Sequence, residues 1–243
     1  MLYLYHTLWF ELKIIKIITS IALIFCISLV LVTSTIQMEI NCIRLYEYGF
    51  DRYKVSEETG IDRTQLRTVA RVLVDYFNYR IDTPQLTVQG RSGGKFLLYQ
   101  EGGANYELTH LADVRRLFRL NQLALLASIS YVVSYILIFL LWRKGNWWDL
   151  AGKVKQGCVL TLAVLMFIGL ATVLVDFEEL FFQFHHLVFS NPWWISTGYL
   201  PRLFPFSFWE DVAFIGAGSI ALGALLLGVT SWLVPYLYFK KRG

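Results

Sequence analysis

Cysteine is scarce in this chain and scattered: Cys26, Cys42 and Cys158 are the whole set. An odd number at such spacing builds no disulfide framework, and no Cys-x-x-Cys pair offers a zinc site. His-Glu-x-x-His is missing too, so no metal is expected. No serine stands in Gly-x-Ser-x-Gly, which removes the hydrolase elbow. The glycine pairs at 93–94 and 102–103 lack the strand–loop–helix setting of a nucleotide site, and no cofactor is implied. Charge is also thin, with Asp, Glu, Lys and Arg making 16% of the residues and a net charge of +4. The basic excess sits in short segments between apolar runs. That pattern is a topology signal and excludes a nucleic-acid footprint.

What fills the chain instead is apolar. Hydrophobic residues make up 56% and the mean hydropathy is +0.50, which points to a protein crossing a membrane several times. A hydrocarbon core about 30 Å thick needs roughly 20 apolar residues in a helix. Four uncharged runs reach that length: Ile17–Ile36, Leu120–Trp142, Gln156–Val175 and Val212–Phe239. The first is read as a retained anchor, because Thr33-Ser34-Thr35 offers no small-residue cleavage site. Leu180–Pro201 competes as a fifth span. It would bury His185, His186 and Asn191 and carry Pro192 near its middle, so it is assigned to the membrane surface, with Trp193, Trp194 and Tyr199 as an aromatic belt.

Lys and Arg set the orientation. Lys13 and Lys16 precede the first run, Arg143, Lys144, Lys153 and Lys155 lie between the second and third, and Lys240, Lys241 and Arg242 end the chain. The segment after the third run holds only Arg202 against Asp176, Glu178, Glu179, Glu210 and Asp211. The expected fold is therefore an all-α membrane protein with four transmembrane helices. Both termini face the cytoplasm, and a small mixed α/β extracytoplasmic insertion separates helices 1 and 2. The expected segments are 1–36 with the first span, the insertion 37–119, the span 120–142, a cytoplasmic loop 143–155 and the span 156–175. An outer interfacial segment 176–211, the span 212–239 and a cytoplasmic tail 240–243 complete the chain. Gly216, Gly218, Gly223 and Gly228 of the last span suit close helix packing.

The insertion holds twelve basic and eleven acidic residues, the composition of a small folded unit. Asp62 with Gln65 resembles a capping box, and Leu66, Val69, Leu73 and Phe77 follow at helical spacing. Leu86–Gln89 and Lys95–Gln100 read as short strands around Ser92-Gly93-Gly94. Further on, ELTHLADVRRLF runs into the second span without a breaker. Thr109 is a plausible N-cap, which places His110 in the first turn, where the helix dipole keeps an imidazole neutral. Asp113, one turn on, is placed to orient that ring.

FHHLVFSNPWW holds the other histidines. On a helix leaving the third span, Glu178 and His185 share a face, a carboxylate–histidine pairing that suits a general base. Adjacent helical positions diverge by about 100°, so only one of His185 and His186 aims into a given site. Arg115, Arg116 and Arg119 suit phosphate headgroups. For each histidine the plain alternative is a residue meeting solvent or headgroups.

Four stretches, LYEYGFDRYKVSEETGI (45–61), ELTHLADVRRLF (107–118), FHHLVFSNPWW (184–194) and LPRLFPFSFWEDV (200–212), resemble the lipoprotein intramolecular transacylase (Lit) family of bacterial integral membrane proteins. The likeness covers most of the chain, in order. Phe206 stands where the family pattern has an acidic residue after the proline. The resemblance implies a four-span enzyme of the bacterial cell membrane acting on diacylglyceryl-modified lipoproteins among membrane lipids. It would move the sn-2 acyl chain to the α-amino group of the N-terminal cysteine. It also implies two outward-facing histidines, His110 and His185; His110 is expected as the base and His185 as the acid or oxyanion-polarising group, with the exchange of the two roles left open. Asn191 is a candidate oxyanion donor, with capping of the helix end as its plain alternative. Two other classes stay open: a non-enzymatic scaffold or sensor, in which the histidines lie apart, and an interfacial enzyme acting on bulk phospholipid.

Overall fold

The structure is a computed structural model describing residues 2–84, 87–89, 95–97, 106–142, 146–195 and 198–240. Its elements are α1 (Leu2–Asn41), α2 (Ile43–Arg52), α3 (Val55–Thr59), α4 (Arg63–Phe77), β1 (Thr87–Gln89), β2 (Lys95–Leu97), α5 (Tyr106–Trp142), α6 (Trp147–Val175), α7 (Phe177–Val188), α8 (Leu200–Leu203) and α9 (Phe206–Lys240). Four of these helices, over Glu11–Asn41, Tyr106–Leu141, Trp147–Val175 and Phe206–Leu237, are long and apolar enough to cross a membrane. Each outlasts its uncharged run, because charged residues at a bilayer surface need not break a helix. The loop expected over 143–155 is thus helical from Trp147. α7, with 12 residues, is too short to span.

The chain divides into two compact units. The first comprises Met1–Ser34, Leu123–Ile168 and Gly218–Gly243. Leu23 and Ile27 of α1 pack with Phe139 of α5 and Leu150 of α6. The backbones come close where Gly157 faces Ile27: a Cβ on that glycine would lie 2.8 Å from the Ile27 side chain. Ser28 uses the approach by donating to the Gly157 carbonyl at 3.0 Å. Gly223 and Gly228 lie against Leu31 and Cys158, whereas Gly218 has open space where a Cβ would be, so the expected packing role fails there.

The second unit comprises Thr35–Gln122 and Gly169–Ala217. Asp62 caps α4 by accepting from the Thr64 and Gln65 amides, while Gln65 Oε1 stays buried without a partner, so only half of the capping box forms. Leu66, Val69, Leu73 and Phe77 face inward at the expected spacing and join Tyr46, Phe50, Leu203, Phe204 and Phe208 in one core. Arg67 and Arg63 lie on the outer side, paired with Glu47 at 2.6 Å and with Asp51. β1 and β2 pair antiparallel, with Val88 opposite Phe96. Leu86, the 92–94 turn and residues 98–100 lie outside the described residues. Apart from that hairpin, every described element is helical.

Candidate active site

α5 is already helical at Tyr106, so Thr109 is not its N-cap and His110 sits in the second turn. Its ring nevertheless meets the partner that matters. The His110 and His185 ring centroids lie 5.9 Å apart, and Phe189 stands edge-on to His110 at 5.0 Å. His110 lies ten residues ahead of the uncharged run that begins at Leu120. Burial and the neighbouring His185 push its imidazole down to about 4, against a smaller opposing pull from Asp113. Burial and neighbouring side chains, not a first-turn dipole, keep the ring neutral. Its Nδ1 is buried and has no hydrogen-bond partner.

α7 delivers the second ring. Asp176 starts the helix by accepting from the Phe177 amide at 2.7 Å, and Phe189 leaves it in extended conformation. His185 is buried while His186 is exposed, as their divergence on a helix requires. Aromatic rings surround His185: Phe181 at 4.1 Å, Trp194 at 5.0 Å, and Phe184 and Phe189 at 5.4 Å. Burial lowers its pKa, outweighing the hydrogen bond to Phe181. That bond joins Nδ1 to the Phe181 carbonyl at 2.7 Å. A carbonyl only accepts, so Nδ1 carries the proton, and in the neutral ring the lone pair is on Nε2.

The expected carboxylate pairings are not made. Glu178 is exposed and two helical turns back, about 10 Å along the axis, and the Phe181 carbonyl holds the His185 Nδ1. Glu179 accepts from Gln183 at 2.6 Å. Asp113 does not orient His110 but accepts from Asn191 Nδ2 at 2.9 Å. That bond takes up only one of the two Nδ2–H donors, so it does not withdraw Asn191 as an oxyanion donor. Asn191 does not cap α7; its Oδ1 accepts from the Trp193 amide at 3.1 Å.

Asn191 instead ties the segment after α7 to α5, and two residues that the sequence did not single out do the same. Tyr106 stacks on Trp193 at 4.3 Å, and Glu107 accepts from the Leu200 amide at 2.8 Å. Trp194 packs on both histidines of α7, so the aromatic-belt residues also shape the site. Arg115 lies over Tyr79 at 3.9 Å and donates to the Ile81 carbonyl at 2.9 Å, inside the unit rather than out toward headgroups. Phe206 packs on Phe177 and Phe181, an apolar use of the position where an acid was expected. Among the described residues no group of three or more His, Cys, Asp or Glu is placed to hold a metal.

A cavity of about 240 Å³ opens beside His110. Its wall is apolar apart from a few polar groups. It exceeds the roughly 150 Å³ of an engineered apolar cavity that stays dry and admits benzene.

The family model described as lipoprotein intramolecular transacylase Lit matches residues 21–209. The chain belongs to that family. Membership makes it an acyltransferase of the membrane, of a family that acts on lipoproteins. Solved structures of the membrane-integral Lit from Bacillus cereus have the same fold. One is 18% identical with a TM-score of 0.71, covering 95% of this chain and 99% of that one. A histidine-to-arginine variant is 18% identical with a TM-score of 0.74, covering 98% of each chain. A histidine-to-alanine variant is 19% identical with a TM-score of 0.73, covering 97% and 99%. No curated protein sequence matches the chain.

Proposed function

We propose that this Lit-family enzyme moves the sn-2 acyl chain of a diacylglyceryl lipoprotein to the α-amino group of the same molecule's N-terminal cysteine. The observation that carries the reading is the pair of buried rings, His110 and His185, 5.9 Å apart. The reaction exchanges an ester for an amide: the amine nitrogen bonds to the acyl carbon, the ester C–O bond breaks, and one proton passes from nitrogen to the departing alkoxide. Two neutral imidazoles can accept that proton and return it, and neither water nor a cofactor enters the balance. With its Nε2 lone pair free, His185 suits the base role, which leaves His110 to protonate the alkoxide. That exchanges the roles first expected. Because ester and amine are tethered in one molecule, positioning supplies much of the rate.

The orientation belongs to the same proposal. With Lys and Arg of the short segments inside, both termini are cytoplasmic, and the 37–119 insertion, the 176–211 segment and the histidines face outward. A scaffold reading needs the histidines apart, so their spacing weighs against it.

The test is the purified protein with a synthetic diacylglyceryl-cysteine lipopeptide, followed by tandem mass spectrometry, since intramolecular transfer leaves the intact mass unchanged. The fragment holding the N-terminal cysteine gains one acyl chain while the glyceryl group loses it. His110→Ala and His185→Ala each cut the rate by about 10²–10⁴. A wild type that leaves the lipopeptide untouched but deacylates phospholipid supplied alone would replace this reading with the phospholipid one.

A further inference from the structure

Five buried side-chain polar atoms among the described residues have no hydrogen-bond partner, and two of them, Glu39 Oε1 and His110 Nδ1, belong to residues lining the one 240 Å³ cavity. A buried polar atom without a partner is costly, so two at one cavity call for an explanation. Around them the wall is Ile36, Leu73, Phe77, Leu111, Phe118 and other apolar side chains. Tyr46 also lines it, but its hydroxyl already donates to the Ile40 carbonyl at 3.0 Å. Of the described lining residues, Glu39 is the only carboxylic acid and His110 the only histidine.

The carboxyl sits against a glycine. Gly216 of α9 lies flat against it, and a Cβ there would fall 2.8 and 3.0 Å from its two oxygens. The surroundings therefore provide an unpartnered carboxyl oxygen, an unpartnered ring nitrogen, and walls that offer no competing charge. A primary ammonium matches this set. It brings three donors and one positive charge, and in an apolar chamber it is tolerated only beside an opposite charge. An apolar chain attached to it would take the remaining space.

We propose that Glu39 is the recognition residue for the substrate's α-ammonium group. The inference rests on the transacylase reading for the identity of the substrate and adds how its reacting end is held. The carboxylate takes one N–H of the ammonium and presents the group at the histidine pair; one proton leaves by way of a histidine to solvent before attack, and a second passes from nitrogen to the departing alkoxide. Glu39 binds; the histidines move the protons. A neutral headgroup gains nothing from it.

The experiment is a binding comparison on the full chain in lipid nanodiscs, read by intrinsic fluorescence, because Trp209 lines the cavity. The probes are the diacylglyceryl-cysteine lipopeptide with a free amine and the same lipopeptide N-acetylated. The wild type prefers the free amine by about ten- to hundredfold, the worth of a charge-assisted hydrogen bond. Glu39→Gln, which keeps the shape, brings that ratio close to one and leaves the affinity for the acetylated probe unchanged, which also shows that the variant is folded. Gly216→Ala, which displaces the carboxyl while keeping its charge, lowers the ratio part of the way. A Glu39→Gln protein that retains the wild-type preference overturns the proposal, and so does a wild type with none. The two readings fail separately: preference without acyl transfer leaves Glu39 standing and removes the transacylase, and transfer with an unchanged Glu39→Gln ratio does the reverse.

Discussion

Among the described residues, seventeen buried hydrophobic side chains form one core in the unit of Thr35–Gln122 and Gly169–Ala217, from Ile40 through Val69 and Leu73 to Phe208. In the unit of Met1–Ser34, Leu123–Ile168 and Gly218–Gly243 the corresponding core has four, Leu23, Ile27, Phe139 and Leu150, while Leu126, Met166 and Leu226 are left exposed. The second set has the richer supply of apolar residues and the smaller core. Its surroundings explain the inversion. Where water is the alternative, burying apolar area drives folding. Where lipid is the alternative, Leu gains little by turning inward, and helices associate through close packing and backbone-directed hydrogen bonds. Gly157 against Ile27, Ser28 on the Gly157 carbonyl and Tyr131 on the Thr19 carbonyl are such contacts. The titrating histidines belong to the water-type unit, where a folded core can hold buried rings in place.

The sharpest way to break this contrast is a pair of identical substitutions. Leu73→Ala, at 1% exposure in the large core, lowers stability by about 2–5 kcal/mol. Leu126→Ala, at 60% exposure, changes it by less than about 0.5 kcal/mol in lipid. Urea or thermal unfolding in nanodiscs measures both, and equal losses would remove the distinction. A smaller effect probes the other unit: Gly157→Ala forces a methyl against Ile27 and costs about 1–3 kcal/mol, with reduced protection of α6 amides in hydrogen exchange. A gain in stability there would mean that the close approach is not what joins the helices.

The mildest effect comes with pH. His110 and His185 both have pKa values below the ordinary imidazole value in the folded chain. Between about 6.5, the unfolded value, and those lower folded values, the unfolded chain binds more protons, so stability is full above that window and falls as pH drops through it. One unit below 6.5 the loss is at most roughly tenfold in the folding equilibrium per ring, and less for rings that are partly exposed. His185→Phe flattens this dependence. Melting temperatures recorded from pH 7.5 down to 5.5 give the comparison, and a variant as pH-sensitive as the wild type would clear His185 of the effect.

Much of the fold could be read along the chain. The four spanning helices follow from uncharged runs of about twenty residues, and α4 from its cap at Asp62 and the spacing of Leu66, Val69, Leu73 and Phe77. These signals survive because they are local: length, periodicity and the first turn's orphan amides are set within a few residues. His110 and His185 were picked out the same way, by residue type and by family likeness. Their partners were not. The sequence offered Asp113 to His110 and Glu178 to His185 because helical spacing is the only neighbour rule it contains. The structure gave Asp113 to Asn191, 78 residues away, and left the His185 ring on a carbonyl of its own helix.

What the sequence determined by itself, then, is where helices run, how many can cross a membrane, and which chemistry-bearing residues lie near their ends. Only the tertiary structure decided that two rings far apart along the chain share a site, that Tyr106 and Glu107 fasten the segment after α7, and that Glu39 faces the cavity of His110. The reason is range. Helix formation is settled by bonds four residues apart. The meeting of α1, α4, α5 and α9 around one chamber depends on every side chain packed between them, and no short window of sequence contains that set.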